Sequence, residues 1–215
     1  DVHRVDDSPL SDAQLAALPI AFGTAMGMIE RAGVSTNDVI VVTGASGGVG
    51  VALVQLAVAR GADVIAVCSA SKADGVREAG ATHIVDRAGD VWSDVRRIAP
   101  DGVTAVLDVV AGPHVRAGIP ALRPGGRWVV AGALGGHEID IDVRRLYLHN
   151  LSLIGSTMHT RAHFRALMVL ARSGTVRPLI AQTFPLEQVH RAQEELASRR
   201  HVGKLVLLPA ASPQS

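Results

Sequence analysis

The sequence has little cysteine, few aromatic residues and almost no net charge, and these shortages exclude several classes of function. A single cysteine, Cys68, rules out an intrachain disulfide and a cysteine-based zinc site. Lysine and arginine number 21 against 20 acidic residues, so charge gives no reason to expect binding to nucleic acid or to an anionic membrane. No signal peptide and no apolar run of about 18 residues is apparent, and we expect a cytoplasmic protein that binds no membrane.

Aliphatic residues are abundant instead. Apolar residues make up 48% of the chain and aromatic residues only 3%, a composition typical of a parallel α/β sheet with a core of Val, Ala, Leu and Ile. The chain begins with Asp and not Met, which suggests a piece of something longer or a trimmed chain.

The stretch 38–60 organises the rest of the chain. Four β-branched residues at 39–42 predict a central strand that is buried on both faces. The residues ASGGVG at 45–50 then fit the pattern G-x-G-x-x-G with alanine in the first position, and an apolar helix follows. Such glycines let a pyrophosphate approach the backbone at the positive end of the helix. With a second strand at 62–67, this βαβ unit predicts dinucleotide binding.

Further strands alternate with helices along the chain. Two helices, from Ser11 to Pro19 and over 22–32, precede the first strand, and later strands are predicted at 83–85, 103–110, 127–132 and 151–156, with helices at 71–79, 90–98 and 114–122. This alternation predicts a doubly wound, parallel, six-stranded Rossmann sheet of the α/β class.

The pattern changes after Thr157. A helix at 161–173, an extended stretch at 177–185, a helix at 186–199 and a strand at 204–208 are too few to form an independent domain. We therefore divide the chain into a lead-in helix (1–21), a dinucleotide-binding domain (22–157) and a segment that belongs to another, catalytic domain (158–215).

Five motifs lie along the chain in a specific order and spacing: TGASGGVG at 43–50, DVVAG at 108–112, LRPGGR at 122–127, IGST at 154–157 and GKLVL at 203–207. The chain resembles the medium-chain dehydrogenase/reductase superfamily, and within it most closely the zinc-independent, quinone oxidoreductase-like branch. The resemblance implies NADPH-dependent hydride transfer to a quinone or an activated enone. It also implies that an N-terminal GroES-like catalytic domain is absent from this chain.

The end of the second strand bears on the choice of cofactor. An NAD-type site places a carboxylate about 20 residues past the glycines, whereas here Cys68 stands at that position. The hydroxyls of Ser69 and Ser71 and the ammonium of Lys72 can bind a 2′-phosphate, with Arg87 as a second cation, so NADP(H) is favoured. The alternative is that Lys72 and Arg87 are ordinary exposed charges.

The resemblance assigns the remaining cofactor contacts. It implies that the backbones after strands five and six hold the nicotinamide and that Val109 and Val110 line the adenine or ribose side, although the two valines fit a core equally well. Thr24 matches a cofactor-facing position, or else bonds to its own helix backbone. The complete predicted set is Thr24, Ser46, Gly47, Gly48, Val49, Ser69, Ser71, Lys72, Arg87, Val109, Val110, Gly132, Ala133, Leu134, Ser156, Thr157 and Lys204.

No metal site and no catalytic residue is predicted. In zinc-dependent relatives of the resembling superfamily a cysteine precedes the Thr24 position, and the matching residue here is about Ile20. His159 and His163 have i, i+4 spacing but lack partners of the right type, and we expect them at the surface. The alternating acids of 138–143 predict a solvated extended edge.

Three readings of function stay open beside the oxidoreductase. One is a nucleotide-binding module without turnover, another is a zinc-type alcohol dehydrogenase-like protein without turnover as it stands, and a third, a methyltransferase that binds S-adenosylmethionine, is disfavoured because Cys68 replaces the acid such enzymes place after strand two. The edge of the sixth strand needs cover, and we expect a homodimer that pairs this edge with its copy.

Overall fold

A computed structural model describes residues 3–5 and 7–210, so the outermost residues of the predicted segments 1–21 and 158–215 lie outside the described residues. Its strands are β1 (Val39–Val42), β2 (Asp63–Cys68), β3 (His83–Asp86), β4 (Val103–Asp108), β5 (Leu122–Val130), β6 (Ser152–Gly155), β7 (Ile180–Pro185) and β8 (Lys204–Leu208). Its α-helices are α1 (Asp12–Ala17), α2 (Gly23–Ala32), α3 (Gly48–Ala59), α4 (Ala73–Glu78), α5 (Val91–Ile98), α6 (His114–Gly118), α7 (Val143–Leu148), α8 (Arg161–Arg172) and α9 (Val189–Ser198).

Strand β1 lies inside a parallel sheet with the order β3-β2-β1-β4-β5-β6, which confirms the predicted Rossmann sheet. Ile40 and Val42 contribute to a core with helices α2 and α3, whereas Val41 contributes to a second core with Trp92 and Trp128. Because both faces are covered, β1 has no polar side. The chain reverses its direction of progress across the sheet at β1 and β4, so a crevice opens between their carboxyl ends.

The helical region before β1 differs from its prediction. The break expected at Pro19 is wrong, since a π-helical turn, Leu18–Phe22, joins α1 to α2, and Pro19 stands at the beginning of that turn, where a missing N–H costs little. The resulting stretch, Asp12–Ala32, is long and apolar enough to cross a membrane by length and composition. More than half of it is buried inside the fold, where α2 packs against α3 and α8, so it serves here as a core helix.

Two segments around β5 also depart from the expectation. The stretch 138–143 forms no strand; Asp142 instead caps α7, which the sequence did not predict, and accepts a hydrogen bond from the Arg144 N–H at 3.0 Å. Strand β5 begins at Leu122, five residues earlier than predicted, because Leu122 already pairs with Val103 before a register shift. Strand β4, conversely, ends at Asp108, two residues before its predicted end.

The C-terminal elements return to the glycine turn. Helix α8 packs against α2, and β7 and β8 form a separate two-stranded parallel sheet. A parallel bridge joins Gly203, just before β8, to Gly47 at the start of α3. The end of the described chain therefore lies beside the predicted phosphate-binding turn.

Candidate cofactor-binding site

The glycine turn after β1 is tightly packed against helix α3. Gly44 has a left-handed backbone (φ +59°), and the Gly47 N–H donates to the Gly44 carbonyl at 3.0 Å. A Cβ at Gly50 would stand 2.6 Å from the Ala45 Cα, so only glycine lets the helix approach so closely. Gly47 caps α3 without a side chain, so the N–H groups of the first turn receive no hydrogen bond from an N-cap side chain. Free N–H groups at a helix N-terminus form a site for a phosphate.

The segment that precedes β8 forms one wall of this turn. The Gly203 N–H donates to the Ser46 carbonyl at 3.0 Å. The aliphatic part of Lys204 lies over Gly48, since a Cβ at Gly48 would stand 2.5 Å from the Lys204 Cδ. The structure therefore brings Lys204 to the same turn as the predicted residues Ser46, Gly47 and Gly48.

A basic cluster, formed by Lys72, Arg87, His201 and Lys204, gathers beside the carboxyl end of β2. Burial lowers the pKa of Lys72, and the charge of Arg87 lowers it further. Burial and the neighbouring Lys72 and Lys204 lower the pKa of His201. The ammonium of Lys72 donates to the Arg199 carbonyl at 2.5 Å, which holds it beside the segment that precedes β8. A cluster in which neighbouring cations lower the pKa of Lys72 and of His201 favours an anionic ligand.

Cys68 is the last residue of β2 and occupies the position where NAD-type sites have a carboxylate. Its side chain is buried, and burial together with the nearby Asp86 raises the pKa of the thiol. Asp86 follows on β3 in register with Cys68, but its carboxylate accepts from the Ala88 N–H at 3.1 Å in its own loop. Ser69 is half-buried and Ser71 is exposed in the turn that leads to α4.

A buried carboxylate fixes the loop after β4. Asp108 is fully buried and accepts from the Thr43 hydroxyl (2.5 Å), the Trp128 indole (3.0 Å) and the N–H groups of residues 110 and 111, while the His114 ring lies 3.2 Å away. Burial alone would raise the pKa of Asp108, but hydrogen bonds from His114 and Thr43 outweigh it and hold the pKa below its ordinary value. The loop that Asp108 fixes carries Val109 and Val110.

The two valines pack against the glycine turn. A Cβ at Gly44 would stand 2.8 Å from a methyl group of Val109 and 3.4 Å from one of Val110. Both side chains are half-buried, and thus lie between the core and the crevice. They contribute to packing and are placed to line a ligand, so the two readings of their role are compatible.

A cleft of about 510 Å³ opens at the carboxyl ends of β5 and β6. It brings together four predicted residues with three neighbours, and its lining consists of Val130, Ala131, Gly132, Ala133, Gly155, Ser156 and Thr157. Leu134 lies just beyond it and is 69% exposed. This cleft is separated from the basic cluster by the crevice at β1 and β4, as the two ends of a dinucleotide require.

The loop after β6 packs onto helix α2 next to Thr24, which is half-buried. His159 and His163, which we expected at the surface, are both half-buried and keep part of their surface in contact with solvent. The His159 ring stacks on Phe164 with ring centroids 5.0 Å apart, and it lies over Gly23, where a Cβ would come within 2.7 Å of it. The His163 ring accepts from the Thr160 N–H as part of the cap of α8.

Among the described residues, no three histidine, cysteine or acidic side chains are grouped so that they could hold a metal ion. Ile20, which stands near the position of a zinc ligand in the resembling zinc-dependent relatives, is 69% exposed and has no donor atom. Zinc independence stays a prediction for the protein as a whole.

Two residues of this region were not predicted. Arg31 joins α2 to the loop after β6, and His201 belongs to the basic cluster. No local pattern marks either one, because Arg31 bonds to Ser156 and His201 interacts with Lys72, and both partners lie more than about 120 residues away in the sequence.

A glycine turn at the switch point of a six-stranded parallel sheet, with a basic cluster at one end and an apolar cleft at the other, defines a dinucleotide-binding protein of the Rossmann class. A family model described as zinc-binding dehydrogenase matches residues 48–173. The chain belongs to this family, within the medium-chain dehydrogenase/reductase superfamily, which confirms the resemblance to that superfamily; the quinone oxidoreductase-like branch stays a prediction.

Similarity to individual proteins supports this family assignment. A crystal structure from Sinorhizobium meliloti 1021, provisionally described as an alcohol dehydrogenase, is 39% identical with a TM-score of 0.91, over 96% of this chain and 58% of that one. The synaptic vesicle membrane protein VAT-1 homolog of Danio rerio is 32% identical over 92% of this chain and 46% of its own length. The 2-octenoyl-CoA carboxylase reductase CinF, solved with NADP and 2-octenoyl-CoA, is 26% identical with a TM-score of 0.86, over 97% of this chain and 52% of that one. The chain thus spans about half the length of such relatives.

Proposed function

We propose that this chain is the cofactor-binding part of an NADPH-dependent reductase. The observation that carries this proposal is the basic cluster at the end of β2, where Cys68 stands in place of the acid of NAD-type sites. A 2′-phosphate carries about two negative charges, and Lys72, Arg87 and Lys204 can neutralise them, whereas NADH offers the cluster only a neutral hydroxyl. The NADP complex of the related reductase CinF supports the choice.

The acceptor side of the site is apolar. Leu134 follows β5 with 69% of its surface exposed, Met158 follows β6 with 61% exposed, and Ile20, in the π-helical turn before α2, is 69% exposed. An apolar, conjugated acceptor such as a quinone or an activated enone fits such a rim better than a charged one. When bound, the reduced nicotinamide supplies a hydride, and the task of these residues is to orient the acceptor and exclude water.

Titration calorimetry of the chain with NADPH and with NADH tests the proposal. We expect tighter binding of NADPH, and we expect Lys72→Ala to weaken it about 10- to 100-fold while changing NADH binding little, because a hydrogen bond to a charged group is lost. Arg97→Ala removes one positive charge on α5, where Arg97 pairs with Asp94, and serves as the matched control. Equal affinity for both cofactors in the unaltered chain would contradict the choice of NADPH.

A second candidate function is nucleotide binding without turnover by the chain on its own. The observation in its favour is that Ala133 and Thr157, which line the cleft at β5 and β6, are both exposed to solvent. A reduction assay with a quinone and an enone distinguishes the two, run on the 215-residue chain and on a chain that also carries the residues its relatives have beyond this stretch. Turnover by the longer chain alone would assign the 215 residues to cofactor binding.

We also propose a homodimer through β6. This strand ends the sheet order, and Leu153 on it is 41% exposed. The preceding helix α7 adds Tyr147 at 62% and Leu148 at 68% exposure. An open strand edge beside exposed apolar side chains favours pairing with an identical edge.

A further inference from the structure

We propose that Arg31 is a positioning residue for the nicotinamide end of the site, and that it acts through the loop after β6. This inference rests on the proposed function. Arg31 lies near the end of helix α2 and is half-buried under residues 156–158. Two of these three residues, Ser156 and Thr157, line the cleft at β5 and β6.

The guanidinium of Arg31 makes three hydrogen bonds. One terminal nitrogen donates to the Gly27 carbonyl at 3.0 Å and to the Ser156 hydroxyl at 3.2 Å, and the other donates to the Met158 carbonyl at 3.0 Å. Ser156 is buried, and its N–H donates to the Val130 carbonyl at the end of β5. Arg31 therefore fixes the loop against both the helix and the sheet.

The hydrogen bonds of Arg31 also fix the position of Thr157. It stands between the two residues that Arg31 holds, so its backbone is set from both sides although none of the three bonds goes to Thr157 itself. Thr157 is exposed and forms part of the cleft wall. A fixed wall presents its polar groups to a ligand at a constant position, which avoids the loss of affinity that ordering a loop on binding would cause.

Gly27 leaves the space that the Arg31 guanidinium occupies. A Cβ at Gly27 would stand 2.7 Å from the nearest nitrogen of Arg31, and the next nearest atoms, in residues 158 and 159, lie at 3.6 Å or more. The absence of a side chain at Gly27 thus gives the guanidinium its place on the helix. Gly27→Ala would displace only the mobile end of Arg31 and keep its charge.

The experiment compares two ligands on three variants. Adenosine 2′,5′-bisphosphate reports the adenine and phosphate end, and NADPH adds the nicotinamide, whose fluorescence emission shifts and strengthens when the ring is held in a protein. For Arg31→Met and Gly27→Ala we expect unchanged affinity for the bisphosphate within about twofold. We expect NADPH affinity to fall about tenfold, the equivalent of about 1.4 kcal/mol, with loss of the fluorescence change.

Arg60→Met is the matched control. It also removes one positive charge beside α2, where Arg60 pairs with Glu30, but it leaves the loop untouched. Unaltered NADPH affinity and fluorescence in Gly27→Ala, or an equal loss in Arg60→Met, would overturn the role of Arg31. If the unaltered chain binds neither ligand, the proposed function itself fails, whereas binding of both ligands with no effect of the variants refutes this inference alone. Should Arg31→Met fail to fold, Gly27→Ala decides the question.

Discussion

Alanine substitutions at Gly47, Gly48 and Gly50 separate packing from ligand binding. A Cβ at Gly50 would stand 2.6 Å from the Ala45 Cα and 2.7 Å from its carbonyl carbon. These are backbone atoms, so Gly50→Ala must shift the turn against α3. Overpacking of this kind costs about 2–3 kcal/mol. For a chain of this size we expect the midpoint of thermal unfolding to fall by about 4–12 °C.

Gly47→Ala is expected to behave differently. The nearest atom to its Cβ is the Gly44 carbonyl oxygen at 3.5 Å, an ordinary contact, and the backbone angles of Gly47 (φ −77°, ψ 170°) suit alanine. A poorer helix cap is offset by the smaller entropy of the unfolded chain, so stability should change by less than about 1 kcal/mol. The added methyl group would stand where the pyrophosphate is proposed to lie, and NADPH affinity should fall at least about tenfold.

At Gly48 the added methyl group would be closer to its neighbour than at Gly47, but that neighbour is a flexible side chain and not the backbone as at Gly50. A Cβ at Gly48 would meet the flexible stem of Lys204 at 2.5 Å, and so should displace that side chain with little change in stability. Thermal unfolding followed by circular dichroism, together with calorimetric titration, measures both effects. Equal loss of stability at residues 47 and 50 would refute the steric argument, and full NADPH affinity in Gly47→Ala would show that the phosphates do not lie on this turn.

Three further outcomes are expected. Asp108→Asn should lower the free energy of unfolding by about 2–4 kcal/mol in urea, because an amide leaves donors around it unpaired. The folded-state pKa of Asp108 is below its ordinary value of 3.8, so the carboxylate stabilises the fold above that pH and this stabilisation is lost as pH falls through the folded pKa. The free energy of unfolding of the variant should therefore decrease less steeply at acid pH than that of the unaltered chain. The pKa of His201 is also lowered, from 6.5, despite the opposing charge of Glu195, so the thermal midpoint should fall as pH drops below about 6.5, and His201→Gln should remove that dependence. Leu153→Asp should give a monomer by light scattering if β6 forms the dimer; an unchanged mass, whether monomeric or dimeric, in both chains would contradict the interface.

The sheet was predictable from sequence because its signals are local. Four β-branched residues at 39–42, a glycine turn and an apolar helix each act over a few residues, and the structure follows them closely. Pro19 misled the prediction because a proline ends a helix interior but is tolerated at the first position of a new turn. Helix α7 was missed because acidic and apolar residues alternate in the segment just before it, 138–143, and this alternation predicts an extended segment.

The candidate site was predictable only in part. Its glycines and the loops after β5 and β6 lie at strand ends, where a parallel sheet binds ligands, and motifs mark them. Arg31 and His201 have no such mark, because their roles depend on contacts with distant segments. The position of Lys204 followed from resemblance to a family, and the structure adds the reason: its stem fits over a residue without a side chain.

The bridge between Gly47 and Gly203 has a consequence for synthesis of the protein. The glycine turn leaves the ribosome about 155 residues before β8, whose preceding segment packs against the turn. The six-stranded sheet can therefore fold while the cofactor site is still incomplete. Affinity for the nucleotide should therefore appear late and abruptly, once residues 199–204 have emerged. Nucleotide binding would then stabilise chains that include residues 199–204 over chains interrupted before them, because a ligand stabilises only the form that it binds.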